Sequence, residues 1–412
     1  MSGSIFTVKL CCFILVVGMR QIRLWGGMKL STAKLHPLMG YSNGDTMNIK
    51  SLLLGSAAAL AAASGAHAAD AIVAAEPEPL EYVRICDAYG TGYFFIPGTE
   101  TCLKIGGKVR TEGEWYDAYN PNSKVGTLWH ERIELNVDTG TDTEYGPLKT
   151  NMILRWEWND GGATAEKLLF ANISLGGFTV GKLDSQYNLY AGYAGDVIND
   201  DAIYDGPYEL NQLTYKYDTG TGFSGVISLE DSNSGSDSDS YGGAWVTSQA
   251  DHYAPNVVAG FGYTTGTLGF KVVGGYDSIV EEGAIKARVD AKFGDVEAFL
   301  MGGWNTDGNK LNQYAGSYQD ESACTTPDGV VHGAKCGWGD WAVWGGVGVP
   351  VNDKLKWNLQ LAYTESKIFE ATTNLKFHPV KDLLIEPELT YMHYDFINDD
   401  TVAGILRFER NF

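Results

Sequence analysis

The body of this sequence lacks any run of about 20 apolar residues, so it predicts no transmembrane helix there. It also lacks a basic excess, because 30 Lys and Arg residues stand against 51 Asp and Glu residues, a formal net charge of −21. Nucleic acid is therefore excluded as an expected partner, since binding to phosphates needs a basic surface. We expect neither a cofactor nor a metal.

Glycine and aromatic residues, in contrast, are abundant: the 412 residues include 51 Gly, 11 Trp, 23 Tyr and 16 Phe. Aromatic residues favour strands, and glycine favours tight turns. In a membrane barrel, aromatic residues also form girdles at both interfaces with water. The composition therefore suits strands better than helices.

An export signal is the clearest feature near the amino terminus. Lys50 supplies a positive charge, Ser51–Ala63 form an apolar stretch of small residues, and the triplet Ala-His-Ala ending at Ala68 fits the cleavage pattern. We therefore expect residues 47–68 to be a signal peptide. Residues 1–46 then read as an upstream over-extension of the reading frame, with a cytoplasmic or anchoring extension as the alternative.

Four cysteines follow the expected cleavage point, and export makes disulfides possible. They fall into two local pairs, Cys86 with Cys102 and Cys324 with Cys336, which are 16 and 12 residues apart. Three connectivities are possible, and closing the two short loops is the simplest. A zinc site is the rival interpretation, but the Cys-x-x-Cys spacing and nearby paired His residues typical of zinc are missing. Residues 69–102 read as a flexible mature amino terminus that leads into a looped hairpin.

From Leu103 onwards the sequence alternates with a period of two, which indicates strands with one apolar face. In the first segment, apolar side chains oppose the polar residues Lys104, Lys108, Arg110, Glu112 and Glu114. About sixteen such segments end with the carboxy-terminal strand Val402–Phe412, and bacterial barrels require an even number. A soluble sandwich is the alternative, yet the segments are long and aromatic residues recur near their ends. Residues 103–412 therefore predict an all-β, antiparallel transmembrane β-barrel.

One long connection, Asp184–Tyr208, combines apolar and acidic side chains and contains no Lys or Arg. Such a loop needs a surface to pack on, so we predict that it folds inward and constricts the lumen, where opposed charges would tune ion selectivity. Its acids are Asp184, Asp196, Asp200, Asp201 and Asp205, and the basic wall residues expected opposite them are Lys104, Lys108, Arg110, Arg132 and Arg155. An acidic surface loop, or a calcium loop using Asp200 and Asp201, is the alternative.

Four stretches carry a family resemblance: the signal and mature start MNIKSLLLGSAAALAAASGAHAADAIVA, the segment Glu81–Arg110, the loop run Gly195–Asp201, and GDWAVWGG together with the terminal GILRFERNF. They resemble the trimeric general porins of alphaproteobacteria, the family that includes the porins of Rhizobium and Brucella. The resemblance implies a sixteen-stranded barrel in the bacterial outer membrane, a homotrimer surrounded by lipid and lipopolysaccharide, and passive diffusion of small hydrophilic solutes. It does not assign the basic wall residues or the pair Cys324 and Cys336.

The sequence therefore predicts a water-filled diffusion channel with a weak preference for cations, and not an enzyme. A substrate-selective channel is the close alternative, in which tyrosines of the acidic loop would form an aromatic track: Tyr187, Tyr190, Tyr193, Tyr204 and Tyr208. A barrel hydrolase is a third interpretation. It would need a nucleophile with His close by, and no His lies in a recognisable catalytic motif.

Overall fold

The computed structural model describes residues 83–116, 126–160, 162, 164–231, 254–278, 281–308, 312–315, 337–395 and 398–412. In this part of the chain, a two-residue strand β1 (Phe94–Phe95) precedes sixteen longer strands, and one six-residue helix, α1 (Gln186–Ala191), lies between them. The strands β2–β17 are Cys102–Tyr116, Gly126–Thr143, Gly146–Asn159, Ala165–Leu175, Phe178–Asp184, Glu209–Asp218, Phe223–Glu230, Asn256–Thr264, Leu268–Asp277, Glu282–Phe293, Val296–Asn305, Trp341–Asn352, Leu355–Thr364, Ile368–Phe377, Leu383–Tyr394 and Asp399–Asn411. Among the described residues, no helix has both the length and the apolar character needed to cross a membrane.

The sheet closes on itself. Each strand from β2 to β17 pairs antiparallel with the next one, and β17 pairs with β2, so that Asn411 lies opposite Lys108. The terminal Phe412 completes this seam, because its N–H donates to Gly107 O and its carbonyl accepts from Gly107 N, each at 3.0 Å. The predicted barrel of sixteen antiparallel strands is therefore confirmed, and its last strand extends to the end of the chain.

The period-two pattern separates an apolar outer face from a polar inner face. On β2, the side chains of Ile105, Val109 and Trp115 are exposed on the outer surface, whereas Glu112 is buried on the inner side. Large apolar side chains are exposed in the same way on the other strands, which is the arrangement of a barrel that faces lipid.

The long connections all lie at one end of the barrel. One end carries short turns, such as Gly176–Gly177 between β5 and β6 and Gly294–Asp295 between β11 and β12. The other end carries the long connections, including residues 185–208 and residues 306–340. At one end of the barrel the strands are therefore joined by short turns, and the long connections at the other end can fold into the lumen.

The segment before the barrel is tied to its first long strand. Cys86 is bonded to Cys102, with 6.0 Å between the Cα atoms. Phe94 and Phe95 of β1 pair with Leu103 and Cys102 of β2. Cys324 and Cys336 lie outside the described residues, so their predicted pairing stays a prediction.

Candidate functional site

The long connection that follows the fifth barrel strand, β6, folds into the lumen; we call residues 185–208 the inserted loop. It starts as helix α1, whose N-cap residue Ser185 accepts a hydrogen bond from Tyr187 N at 3.1 Å. Gly192 ends the helix with φ of +100°, a backbone conformation that L side chains rarely adopt. The loop then crosses to the wall formed by β11–β16, so the prediction of an inward-folded loop is confirmed.

Two buried charged groups hold the inserted loop near its start and near its return to the wall. The carboxylate of Glu230 accepts hydrogen bonds from Ser185 Oγ at 2.7 Å and from Gln186 N at 2.9 Å. The ammonium group of Lys286 donates to Asn188 Oδ1 and to Asp205 O, each at 2.7 Å. A buried charge is costly unless it is hydrogen-bonded. The loop supplies the hydrogen bonds that Glu230 and Lys286 of the wall need, and these two side chains in turn hold the loop in place.

Inward-facing glycines give the aromatic side chains of this region room to pack. The ring of Tyr190 lies against Gly260, where an added Cβ would come within 2.9 Å of the ring. The rings of Tyr314 and Trp338 lie against Gly275 and Gly303 in the same manner. A glycine on the inner face of a strand is therefore the sequence signal for a place where a loop aromatic approaches the wall.

A second connection also folds inward. Residues 312–315 belong to the long connection between β12 and β13, and Gln313 O accepts a hydrogen bond from Tyr204 OH at 3.0 Å. Near the other end of this connection, Trp338 Nε1 donates to Tyr204 O at 2.7 Å. These contacts hold the returning half of the inserted loop, and the sequence analysis did not predict them.

The tip of the inserted loop is held by side chains of three neighbouring strands. Glu388 on β16 accepts hydrogen bonds from Ile198 N at 2.5 Å and from Asn199 N at 2.8 Å. On β14, Gln360 Nε2 donates to Asp200 O at 2.9 Å. The same nitrogen lies 3.0 Å from Glu370 Oε1 on β15. The backbone of the tip is thereby fixed against the wall, and its outer side chains face the remaining opening.

That opening is a cavity of about 680 Å³ between the loop tip and the wall of β2–β7 and β17. Its charged lining consists of the acids Glu112, Glu114, Glu157, Asp184, Asp200, Asp201 and Glu209 and the bases Arg110, Arg132, Arg155, Lys167 and Arg407, with His130 beside them. The structure therefore places three of the five predicted loop acids on the same cavity as three of the five predicted wall bases.

The arginines of this wall do not stand alone, because each is paired with a neighbouring carboxylate. Arg110 lies 2.7 Å from Glu409, and Arg155 lies 2.7 Å from Glu134. The other pairs on the cavity are Arg132 with Glu157 at 2.5 Å and Arg407 with Glu112. The wall is thus a mixed ladder of both signs, so its field across the opening is weaker than that of a purely basic wall.

The other predicted site residues lie away from this cavity. Asp205, on the returning half of the inserted loop, is fully buried, and Asn188 Nδ2 donates to its Oδ1 at 3.2 Å. Lys104 lies over the ring of Tyr93, and Lys108 pairs with Glu134 at 3.1 Å. Burial raises the pKa of Asp205 to about 6, with Lys286 opposing this change. Asp205 is therefore placed for packing and not for contact with passing ions.

Asp196 lies on the opposite side of the loop tip, beside a separate cavity of about 320 Å³. Its carboxylate pairs with Lys356 on β14 at 2.9 Å and also with Lys376 on β15. Burial opposes ionisation, but these two ammonium groups hold the pKa of Asp196 below its usual range. In contrast, burial and the neighbouring Asp201, Asp205 and Glu370 raise the pKa of Asp200 well above its usual range.

The loop tyrosines do not form one continuous track. Tyr187, Tyr190 and Tyr204 are buried against the wall. Tyr193 and Tyr208 line the cavity and stack with ring centroids 6.0 Å apart and an interplanar angle of 12°. Only this stacked pair faces the opening among the five tyrosines considered.

Several lining residues were not among the predicted site residues: Glu112, Glu114, His130, Glu157, Lys167, Glu209 and Arg407. The period-two pattern contains the missing signal for most of them. Glu112 and Glu114 alternate with Arg110 on one face of β2, and His130 lies directly opposite Glu112 on β3.

Comparisons with known proteins agree with this arrangement. A family model described as a porin subfamily matches residues 70–405. Porin Omp2b of Brucella canis is 41% identical over 385 aligned residues, and Porin Omp2b of Brucella melitensis biotype 1 is 40% identical. Each alignment covers 89% of this chain and all of the relative.

Among solved structures, the anion-selective porin from Comamonas acidovorans aligns with a TM-score of 0.51 at 14% identity, over 76% of this chain and all of that one. This similarity supports the barrel fold alone. The family match covers most of the chain and the Brucella relatives are matched over their full length. The chain therefore belongs to the porin family, and its barrel is an outer-membrane channel.

Proposed function

We propose that the channel is a water-filled path for passive diffusion of small hydrophilic solutes and ions, with a weak preference for cations. The observation that carries this proposal is the lining of the cavity beside the loop tip. Seven acidic side chains and five Lys or Arg side chains border it, and six acids remain when Asp200, whose raised pKa favours the neutral form, is left out. Carboxylates in excess lower the energy of a cation in a narrow water path and raise that of an anion.

The expected preference is weak because most of these charges are compensated nearby. The four arginines of the lining each pair with a glutamate, so the wall contributes little net charge. The remaining negative field comes mainly from the acids of the inserted loop that line the cavity and from Glu114 on the wall. Glu114 has no Lys or Arg partner among the described residues.

A substrate-selective channel is the second candidate, and the stacked pair Tyr193 and Tyr208 favours it. Aromatic faces beside a water path offer apolar surface to sugar rings. A saturable block of ion current by added sugars would support this candidate, whereas current that falls only with solution viscosity and solute size supports general diffusion.

We also propose that residues 47–68 are a signal peptide cleaved after Ala68 and that residues 69–102 begin the mature chain. The family match that starts at residue 70 supports this boundary. The mature chain would assemble as a homotrimer in contact with outer-membrane lipid and lipopolysaccharide. Amino-terminal sequencing of the chain purified from outer membranes tests the cleavage point, and native mass spectrometry tests the trimer.

Single-channel recording of the mature chain, residues 69–412, in a planar bilayer tests the proposed function. We expect ohmic current steps, and swelling of protein-containing liposomes in solutions of small sugars. Folded protein that inserts but passes neither ions nor sugars would overturn the diffusion proposal.

A further inference from the structure

The cavity wall contains a compact group of potential metal ligands. Glu112 and Glu114 lie two residues apart on β2, and His130 is the direct cross-strand neighbour of Glu112 on β3. One ligand atom from each of these residues lies within 4.8 Å of the other two. All three side chains line the cavity, so an ion that enters the opening reaches them.

The distances suit a shared ion. Nδ1 of His130 lies 2.9 Å from Oε2 of Glu112 and 3.7 Å from Oε1 of Glu114. Two donor atoms that are each about 2.1 Å from one ion are about 3.0 Å apart at a right angle and about 3.4 Å apart at a tetrahedral angle. An ion could therefore take these three donors with only a small movement of the Glu114 side chain.

Two arginines, Arg407 and, at 4.0 Å, Arg110, contact only Oε1 of Glu112; Oε2 bonds to His130 Nδ1, so a bound ion would displace the proton between these two atoms. Arg407 Nε donates to Oε1 of Glu112, whereas Oε2 of the same carboxylate faces His130. Glu114 has no Lys or Arg within ion-pair distance in the described part of the chain. The group therefore combines the carboxylate of Glu114, which has no arginine partner in the described part of the chain, the carboxylate of Glu112, which pairs with Arg407, and the imidazole of His130.

The donor set selects a class of ion. Imidazole nitrogen suits zinc, copper, iron and nickel, whereas magnesium and calcium prefer oxygen ligands alone. We infer that Glu112, Glu114 and His130 form a binding site for a divalent transition-metal cation inside the passage. This inference rests on the proposed function only in that the ion reaches the site through the open lumen, where its presence would hinder other ions.

The test is zinc block of the reconstituted mature channel. Single-channel current is recorded in potassium chloride while zinc chloride is added, and then a chelator is added to remove the zinc. We expect zinc to reduce the current reversibly, and magnesium chloride at the same concentration to leave it unchanged. Loss of even an outer partner of a metal ligand costs about 10- to 100-fold in affinity, so His130→Gln should need at least about tenfold more zinc for the same block.

Two further variants make the result specific. Glu114→Gln should also weaken the block, and it leaves the arginine pairs of the wall intact. His393→Gln is the matched control, because His393 on β16 pairs with Asp400 and does not line the cavity, so this variant should keep wild-type sensitivity. Equal block of wild type and both site variants would overturn the inference, as would equal block by magnesium or no block of the wild type.

A second readout separates failure of the site from failure of the channel. Cobalt chloride is titrated into the detergent-solubilised protein, and binding is followed by visible absorption of the coordinated ion. We expect a titratable signal in wild type and in His393→Gln and a much weaker one in His130→Gln. A protein that conducts normally but gives no His130-dependent signal would refute the metal site and leave the proposed diffusion function in place.

Discussion

The carboxylate of Asp196 lies 2.9 Å from the ammonium nitrogen of Lys356, although the two residues are 160 positions apart in the chain. Lys376 pairs with the same carboxylate from the next strand. Asp196 thus joins the inserted loop to two strands of the barrel wall, β14 and β15. We call this three-residue contact the loop latch.

Replacing Asp196 by Asn should weaken the loop latch, because the neutral amide loses the attraction to both ammonium groups. We expect noisier open-channel current from a loop tip that moves more. Asp353→Asn, the same change in the exposed short turn between β13 and β14, is the control and should behave as wild type. Identical current noise in Asp196→Asn and wild type would show that the latch does not restrain the tip.

The latch also predicts a pH dependence in the wild type. Lys376 and Lys356 hold the pKa of Asp196 below its usual range, against the opposing effect of burial. The stabilisation from its charge is therefore fully present above the ordinary Asp pKa of about 3.9 and is lost as the pH falls through the lower, folded-state value. We expect the added noise that comes from loss of the latch to appear only below about pH 4. The Asn variant should not show this acid-induced change, and a change that persists in it would assign the effect to another group.

Glu388 should set how firmly the tip is held, because its carboxylate accepts from Ile198 N and Asn199 N. Hydrogen bonds to a charged acceptor contribute about 1.5–3 kcal/mol each, and Glu388→Ala removes both. We expect this variant to close at lower applied voltage than wild type, with Glu388→Gln between the two because it keeps one acceptor oxygen. A closing voltage unchanged in Glu388→Ala would rule out this anchoring role.

The cysteines give a prediction that needs no recording of current. Peptide mapping of the non-reduced mature chain should recover Cys86 linked to Cys102, as in the structure, and Cys324 linked to Cys336. Free thiols at the second pair, or a crossed pairing, would contradict the local connectivity. The double variant Cys86→Ser, Cys102→Ser should still form the barrel, since that bond ties the segment before β2 and not the seam.

The barrel could be predicted from the sequence because the pattern that indicates each strand lies within that strand's own residues. Period-two alternation identifies β2 through residues such as Ile105 and Arg110, and the same pattern recurs on other strands, including β3, β4, β11 and β14. The apolar content of Asp184–Tyr208 was enough to predict that the loop packs inward. Each of these arguments uses only neighbouring positions along the chain.

The roles of single loop acids could not be predicted in this way. Asp196, Asp200 and Asp205 are alike in the sequence, but they meet Lys356, the open cavity and a buried pocket respectively. The lysines that pair with Asp196 come from strands far along the chain, and the fold of the loop itself brings Asn188 to Asp205, so local pattern cannot distinguish these acids. The interleaved Glu residues of the wall were visible in the alternation of β2, but the distances that pair them with arginines were not.

Cation preference arising from the loop side of the cavity is the central claim, and the reversal potential under a potassium chloride gradient tests it most directly. We predict a cation-selective sign for wild type, a smaller value for Asp201→Asn, which removes a loop carboxylate that lines the cavity, and an unchanged value for Asp205→Asn, which alters a buried acid. An anion-selective wild type, or a shift in Asp205→Asn as large as that of Asp201→Asn, would contradict this account.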